Sequence, residues 1–246
     1  MVKTVDYTQR KNRVLAAAVS AFINECQPVS SQDLSDSFEL SPATLRSILS
    51  ELEEEGYLAQ PHTSSGRVPT DLGYRYYVDF LMAGRALSEE QKSRVTNSYR
   101  AALSSLDRVL ERTTDIIAEL THYAAIVSIA EQEDRLYYNG LSNIVAQPEF
   151  RNIEKLSLLV RFLEEKKQVL ELLNRQLSQP FKVYIGTEIA CPDINDVCSL
   201  VVSPYRGGKK HAGKIAVLGP RRMSYDQTVS ALEFISGTLD SVLEEF

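Results

Sequence analysis

The run LSPATLRSILSELEEEG (40–56) and its continuation YLAQPHTSSGRVPTD (57–71) pass from helix to strand to polar loop to strand. Ser41 reads as an N-cap and Pro42 as the first helical residue, where a missing N–H costs nothing. Leu45, Ile48, Leu49 and Leu52 recur at helical spacing and predict a buried face that ends at Gly56. A strand follows at Tyr57–Gln60, then a loop holding two prolines, a glycine and a run of hydroxyl residues, then a second strand. Upstream, TQRKNRVLAAAVSAFIN (8–24) places Val14, Leu15, Ala18, Phe22 and Ile23 on one helical face, and a second helix is expected from Ser30 or Ser31 to Phe38. Three helices, the last two joined by a tight turn, then a hairpin: this is the order of a winged helix-turn-helix.

In that arrangement the N-terminal part of the second helix of the motif enters the major groove, where short polar side chains and arginine meet base edges. Here those positions are Ser41, Ala43, Thr44, Arg46 and Ser47, at a helix start whose free N–H groups also favour a phosphate. By itself the segment also fits, less well, a generic amphipathic helix with no DNA role. Its place directly before a wing favours the DNA reading. In the wing, Gly66 is expected to permit a tight turn, and His62, Thr63, Ser64, Ser65 and Arg67 to reach phosphates or a minor groove. Residues 1–87 hold eight Lys/Arg against eleven Asp/Glu, so placement matters more than the sum. Glu51, Glu53, Glu54 and Glu55 lie at the far end of the reading helix, while Lys3, Arg10, Lys11 and Arg13 gather at the start of the first helix as candidate backbone contacts. Few phosphates would be neutralised per domain, which predicts a dimer on an inverted repeat.

Thr70 is expected to cap a fourth helix, and Ser88 and Gln91 stand at capping-box spacing before a long helix to about Leu120. Along it Tyr99, Leu103, Leu106, Leu110, Ile117 and Leu120 form a heptad seam with Thr113 in the polar slot. A dimer contact and a helix packed on its own domain both satisfy that seam. Beyond it AAIVSIA, RLYYNG, FKVYIG, CSLVVSPY and KIAVLG read as five strands, with one helix near 153–177 and another from Tyr225 onward. The expectation is an α+β, sensor-like module with an antiparallel or mixed sheet. Domains are expected at 1–83 (DNA binding), 84–120 (linker helix) and 121–246 (regulatory).

The net charge is −6, and no run approaches the apolar length of a membrane span. The start MVKTVDYTQRKNRV is too polar for a secretory segment, so a cytoplasmic protein with free Cys26, Cys191 and Cys198 is expected. Gly208 to Lys214 fits G-x4-G-K, but Ile215 replaces the Ser/Thr and a strand follows where the phosphate loop needs a helix. His62, His122 and His211 have no neighbouring nucleophile pattern. No enzyme activity, cofactor or metal is expected.

Residues 40–79 resemble the recognition helix, wing and following helix of the HrcA heat-inducible transcription repressors. The likeness resumes at YNGLSNIVAQPEF (138–150), VYIGTEI (183–189) and CSLVVSPYRGGKKHAGKIAVLGPRRMSYDQTVSALEFIS (198–236). It implies a winged helix, a GAF-like C-terminal domain, homodimers on an inverted-repeat operator of chaperone genes, control by a GroEL-type chaperonin and release on heat stress. The family carries an inserted dimerisation domain before the YNGLSNIV block. Here HYAAIVS meets RLYYNG after only IAEQED, so the insert is absent and a reduced sheet is expected. A small-molecule-gated winged-helix regulator is the alternative reading.

Overall fold

The computed structural model describes residues 2–62, 65–100, 102–130, 135–175, 180–207 and 211–244, the side chains of 2–6 and 211 excepted. The chain divides into two compact units, Met1–Ala83 and Gly84–Phe246, and is of the α+β class.

In the first unit, α1 (Val2–Glu25) buries Val14, Leu15, Ala18, Val19 and Ile23, and α2 (Pro42–Glu54) buries Leu45, Ile48, Leu49 and Leu52. These are the apolar stripes that the sequence spacing marks. Two short antiparallel strands, β1 (Leu58–Ala59) and β2 (Val68–Pro69), follow α2, and a single bridge joins Val29 to Arg67 beside β2. Thr70 caps α3 (Asp71–Tyr76): its Oγ1 accepts from Gly73 N at 3.0 Å and donates to Gly56 O at 2.6 Å. Gly73 is a glycine because a Cβ there would lie 2.1 Å from the Tyr57 carbonyl oxygen. The expected second helix is not an α-helix. Residues 31–34 form turns, followed by a 3-10 turn at Ser35–Ser37. The cause is local: Ser30 N donates to the Asp33 carboxylate at 2.7 Å and Ser35 Oγ donates to Gln32 O, so short polar side chains take up backbone groups that a longer helix would use.

The second unit is built on a five-stranded, wholly antiparallel sheet ordered β4-β3-β7-β6-β5, from β3 (Ala124–Ile129), β4 (Leu136–Asn139), β5 (Lys182–Ile185), β6 (Cys198–Gly207) and β7 (His211–Pro220). On one face Ala124, Ile126, Leu200, Val202, Ala216 and Leu218 meet Phe150, Leu159, Phe162, Val169 and Leu173. These come from the helical layer of α6 (Leu141–Val145), α7 (Ile153–Glu164) and α8 (Lys166–Leu173) with the connection between α6 and α7. The opposite face packs on α5 (Leu106–Thr121) and α9 (Tyr225–Leu243). With both faces covered, every residue of β3 is buried, so its sequence reads as a continuous apolar run. Arg222 pairs with Glu149 at 2.6 Å and reaches Gln147 at 2.9 Å, both partners mostly buried, tying the 148–151 turn to the end of β7.

Two expected long helices are each broken. The helix from Ser88 splits into α4 (Glu89–Arg100) and α5, with Ser105 capping the second piece. The capping box at its start does form, Ser88 N to Gln91 Oε1 at 2.9 Å and Gln91 N to Ser88 Oγ at 3.1 Å. Folding α4 back on α5 brings the Tyr99 hydroxyl within 2.9 Å of Thr113 Oγ1. In one straight helix those residues would stand roughly 21 Å apart. Tyr99, Leu110, Thr113 and Ile117 of the seam are therefore packed inside their own unit, while Leu103 stays 38% exposed. The helix expected over 153–177 breaks at Glu165. An unbroken helix would carry Lys166 onto the face of Phe162 and Leu163; the break leaves Lys166 and Lys167 in solvent. No helix among the described residues is long and apolar enough to cross a membrane.

Candidate nucleic-acid interface

At the start of α2 Ser41 Oγ accepts from Thr44 N at 3.1 Å and lies 2.9 Å from Thr44 Oγ1, which fixes the first turn. Ser41, Pro42, Ala43, Thr44, Arg46 and Ser47 are all exposed; only Leu45 points inward. Arg46 makes no ion pair among the described residues. The first carboxylate along α2 is Glu51, so the opening half of the helix presents hydroxyls, a methyl and one guanidinium beside the positive end of its dipole.

Three of the four carboxylates at the far end of α2 are engaged from two sides. Tyr7 donates its hydroxyl to the Glu51 carboxylate at 2.7 Å, a bond that raises the tyrosine pKa. Lys11 Nζ pairs with Glu55 at 2.6 Å, and Arg67 Nε with Glu53 at 2.9 Å while its Nη2 donates to Ser50 Oγ at 3.0 Å. These pairings separate the expected site residues into groups. Ser41, Thr44, Arg46 and Ser47 stand together and open to solvent. Lys11 lies at the opposite end of α2 in an ion pair. Arg67, its side chain only 15% exposed, is a strut between the hairpin and α2, with its fork already engaged. Arg13 is exposed with its guanidinium 5.7 Å from the Phe38 ring, and Arg10 is half-buried.

In the hairpin, His62 is exposed and Ser65 closes a small turn: its Oγ accepts from His62 N at 3.0 Å and donates to His62 O at 2.7 Å. Thr63 and Ser64 lie outside the described residues. Gly66 has a role other than the expected one. Its φ is not positive, and the constraint is proximity: a Cβ would sit 2.6 Å from both the carbonyl carbon and oxygen of Val29. Glycine lets the hairpin close on the Val29 bridge. Behind the hairpin, Tyr74 is buried and Tyr76 lies between Tyr57 and Phe80, with ring centroids 5.1 and 5.0 Å away. The pairings Tyr7–Glu51 and Arg67–Glu53 join residues 44 and 14 positions apart, so no helical spacing announces them.

Residues 128–229 match the family described as HrcA protein C terminal domain. The chain is 30% identical to a protein of Desulforamulus reducens named heat-inducible transcription repressor HrcA, over 96% of this chain and 97% of that one. It is likewise 30% identical to the protein of the same name from Desulforudis audaxviator, over 96% and 98%. The first alignment runs over 337 positions against a chain of 246 residues, so the relative carries sequence with no counterpart here. A crystal structure titled only as that of a hypothetical protein superposes with a TM-score of 0.73 at 19% identity, covering 96% of this chain and 98% of that one, which places the fold alone. The 30% identity to these two relatives, over 96% of this chain, means that it belongs to the HrcA family of heat-inducible transcription repressors.

Proposed function

We propose that residues 1–83 are a winged helix-turn-helix domain and that α2 is its reading helix. Arg46, Thr44 and Ser47 contact base edges, Ser41 and the helix start hold a phosphate, and the hairpin with His62, Thr63, Ser64, Ser65 and Gly66 follows the sugar-phosphate backbone. Arg10 and Arg13 extend the backbone contacts, while Lys11 and Arg67 hold α2 in place. The observation that carries this reading is the exposure of the opening turns of α2 together with the engagement of Glu51, Glu53 and Glu55, at its far end, by α1 and the hairpin. Sequence-selective major-groove binding needs just such a helix end, free of acids and rich in short donors.

In the same proposal residues 84–246 form a GAF-like regulatory domain with a reduced sheet, in which 84–120 is a helical hairpin packed on the sheet rather than a free linker. The chain acts as a homodimer on an inverted-repeat operator of chaperone genes. Heat relieves repression when the regulatory domain loses stability, and a GroEL-type chaperonin is the partner that would restore it. Selection of bound DNA from a random pool, then a titration of the winning duplex with wild type and Arg46→Ala, tests the reading. The variant is expected to lose roughly 1–3 kcal/mol of binding and its preference at one base position. Equal affinity for all duplexes, or no effect of the substitution, would overturn it.

A further inference from the structure

We infer that the groove between α4 and α9 is the contact between two copies of this chain, with the α9 helices crossing at Gly237. The inference deepens the dimer in the function proposed above and rests on that reading for its biological purpose. The groove has a volume of about 660 Å³ and an apolar floor of Tyr99, Leu103, Phe234 and Val242. Leu103 is 38% exposed there.

Gly237 is the first argument. Glycine is the least favourable helix-interior residue after proline, and Gly237 stands in the middle of α9. Among the described residues nothing requires it: a Cβ at that position would find none of their atoms within 4 Å. A small residue with open space above it allows close approach of another helix, and Ser241, one turn on, continues the flat strip.

Charge is the second. Arg100 on the α4 wall and Glu233 on the α9 wall are both exposed and form no ion pair among the described residues. A two-fold axis brings a surface against itself, so a self-complementary patch needs both signs, each placed to meet the other across the axis. Arg100 of one copy and Glu233 of the next meet that requirement.

The third is subtraction. The relatives carry sequence with no counterpart here, so any contact between copies that such sequence makes in them has no equivalent in these residues. An apolar groove with aromatic and arginine lining is a suitable core for it.

Sedimentation velocity of the full chain without DNA, over a concentration series, tests the contact. Wild type is expected to be a dimer. Gly237→Trp should weaken association on the order of a hundredfold while leaving the melting curve in place, since the new side chain enters open space. Arg100→Glu and Glu233→Arg should each weaken it roughly tenfold, and the two together should restore it. A monomeric wild type overturns the inference. So does a dimer indifferent to Gly237→Trp, which would move the contact elsewhere, for instance to the apolar residues Leu141, Val145, Ile153 and Val160 of α6 and α7. A double charge swap without recovery overturns it as well, and that measurement decides the matter if the tryptophan variant misfolds. Half-site binding by the weakened variants is read separately, so the reading head and the dimer contact stand or fall apart.

Discussion

Arg46 and Arg67 carry the same charge in the same unit and have opposite surroundings. Arg46 extends from an exposed helix start with no ion-pair partner among the described residues, whereas Arg67 is held by Glu53 and Ser50. Their alanine variants should therefore separate cleanly. Arg46→Ala is expected to leave thermal stability within about 0.5 kcal/mol of wild type and to lose preference at one base position of the selected duplex. Arg67→Ala is expected to cost about 1 kcal/mol of stability, because it strands a half-buried carboxylate, and to weaken all duplexes alike by loosening the hairpin. Paired melting and gel-shift curves distinguish the two patterns, and identical behaviour of the variants would contradict the assignment. Gly66→Ala addresses the same hairpin through backbone contact. Its methyl would meet the Val29 backbone at 2.6 Å, which cannot rotate away, so a loss of roughly 1–3 kcal/mol is expected in a urea melt.

The fold-back of α4 on α5 is tied by the buried Tyr99–Thr113 hydroxyl pair and by Arg112 Nη2 donating to Ser98 Oγ at 3.1 Å, and the buried pair is testable. Tyr99→Phe removes one partner while Thr113 Oγ1 keeps its 2.8 Å bond to the Val109 carbonyl, so a cost of about 1 kcal/mol is expected. Thr113→Val in the same background should cost less than it does alone, and a double-mutant cycle with no coupling would deny the contact. This break also shows where sequence reading stops. Amphipathic stripes, the caps at Ser41, Thr70 and Ser88 and the five strands are local signals, and each appears where its spacing puts it. A heptad seam is ambiguous, because a helix folded back on its neighbour and a helix paired with another chain bury the same positions. The break at Glu165 was legible in principle, since Lys166 falls where an unbroken stripe would need an apolar residue. The struts across α2 were not, since Tyr7–Glu51 and Arg67–Glu53 depend on how the hairpin and α1 come to rest. The exposed residues Ser41, Thr44, Arg46 and Ser47 were legible because the cap and the inward leucines leave them only the outer face.

Across the whole molecule, a repressor released by heat needs a part whose folded population falls over a narrow temperature range, and the sheet of residues 84–246 supplies a core that can be tuned without touching the reading helix. Leu200 is fully buried in β6, on the sheet face covered by α7 and α8, and belongs to the other unit from Arg46. Truncation of a core leucine to alanine costs about 2–5 kcal/mol. For a domain of this size each kcal/mol lowers the midpoint by about 2–4 °C. Leu200→Ala should thus lower the melting temperature of the second unit by roughly 4–20 °C. If loss of that fold is what frees the operator, release measured by fluorescence anisotropy must move down by the same interval, while binding at low temperature stays near wild type. An operator-release curve that holds its place while the melt shifts would separate heat sensing from the stability of this sheet and place it in the first unit or in a partner.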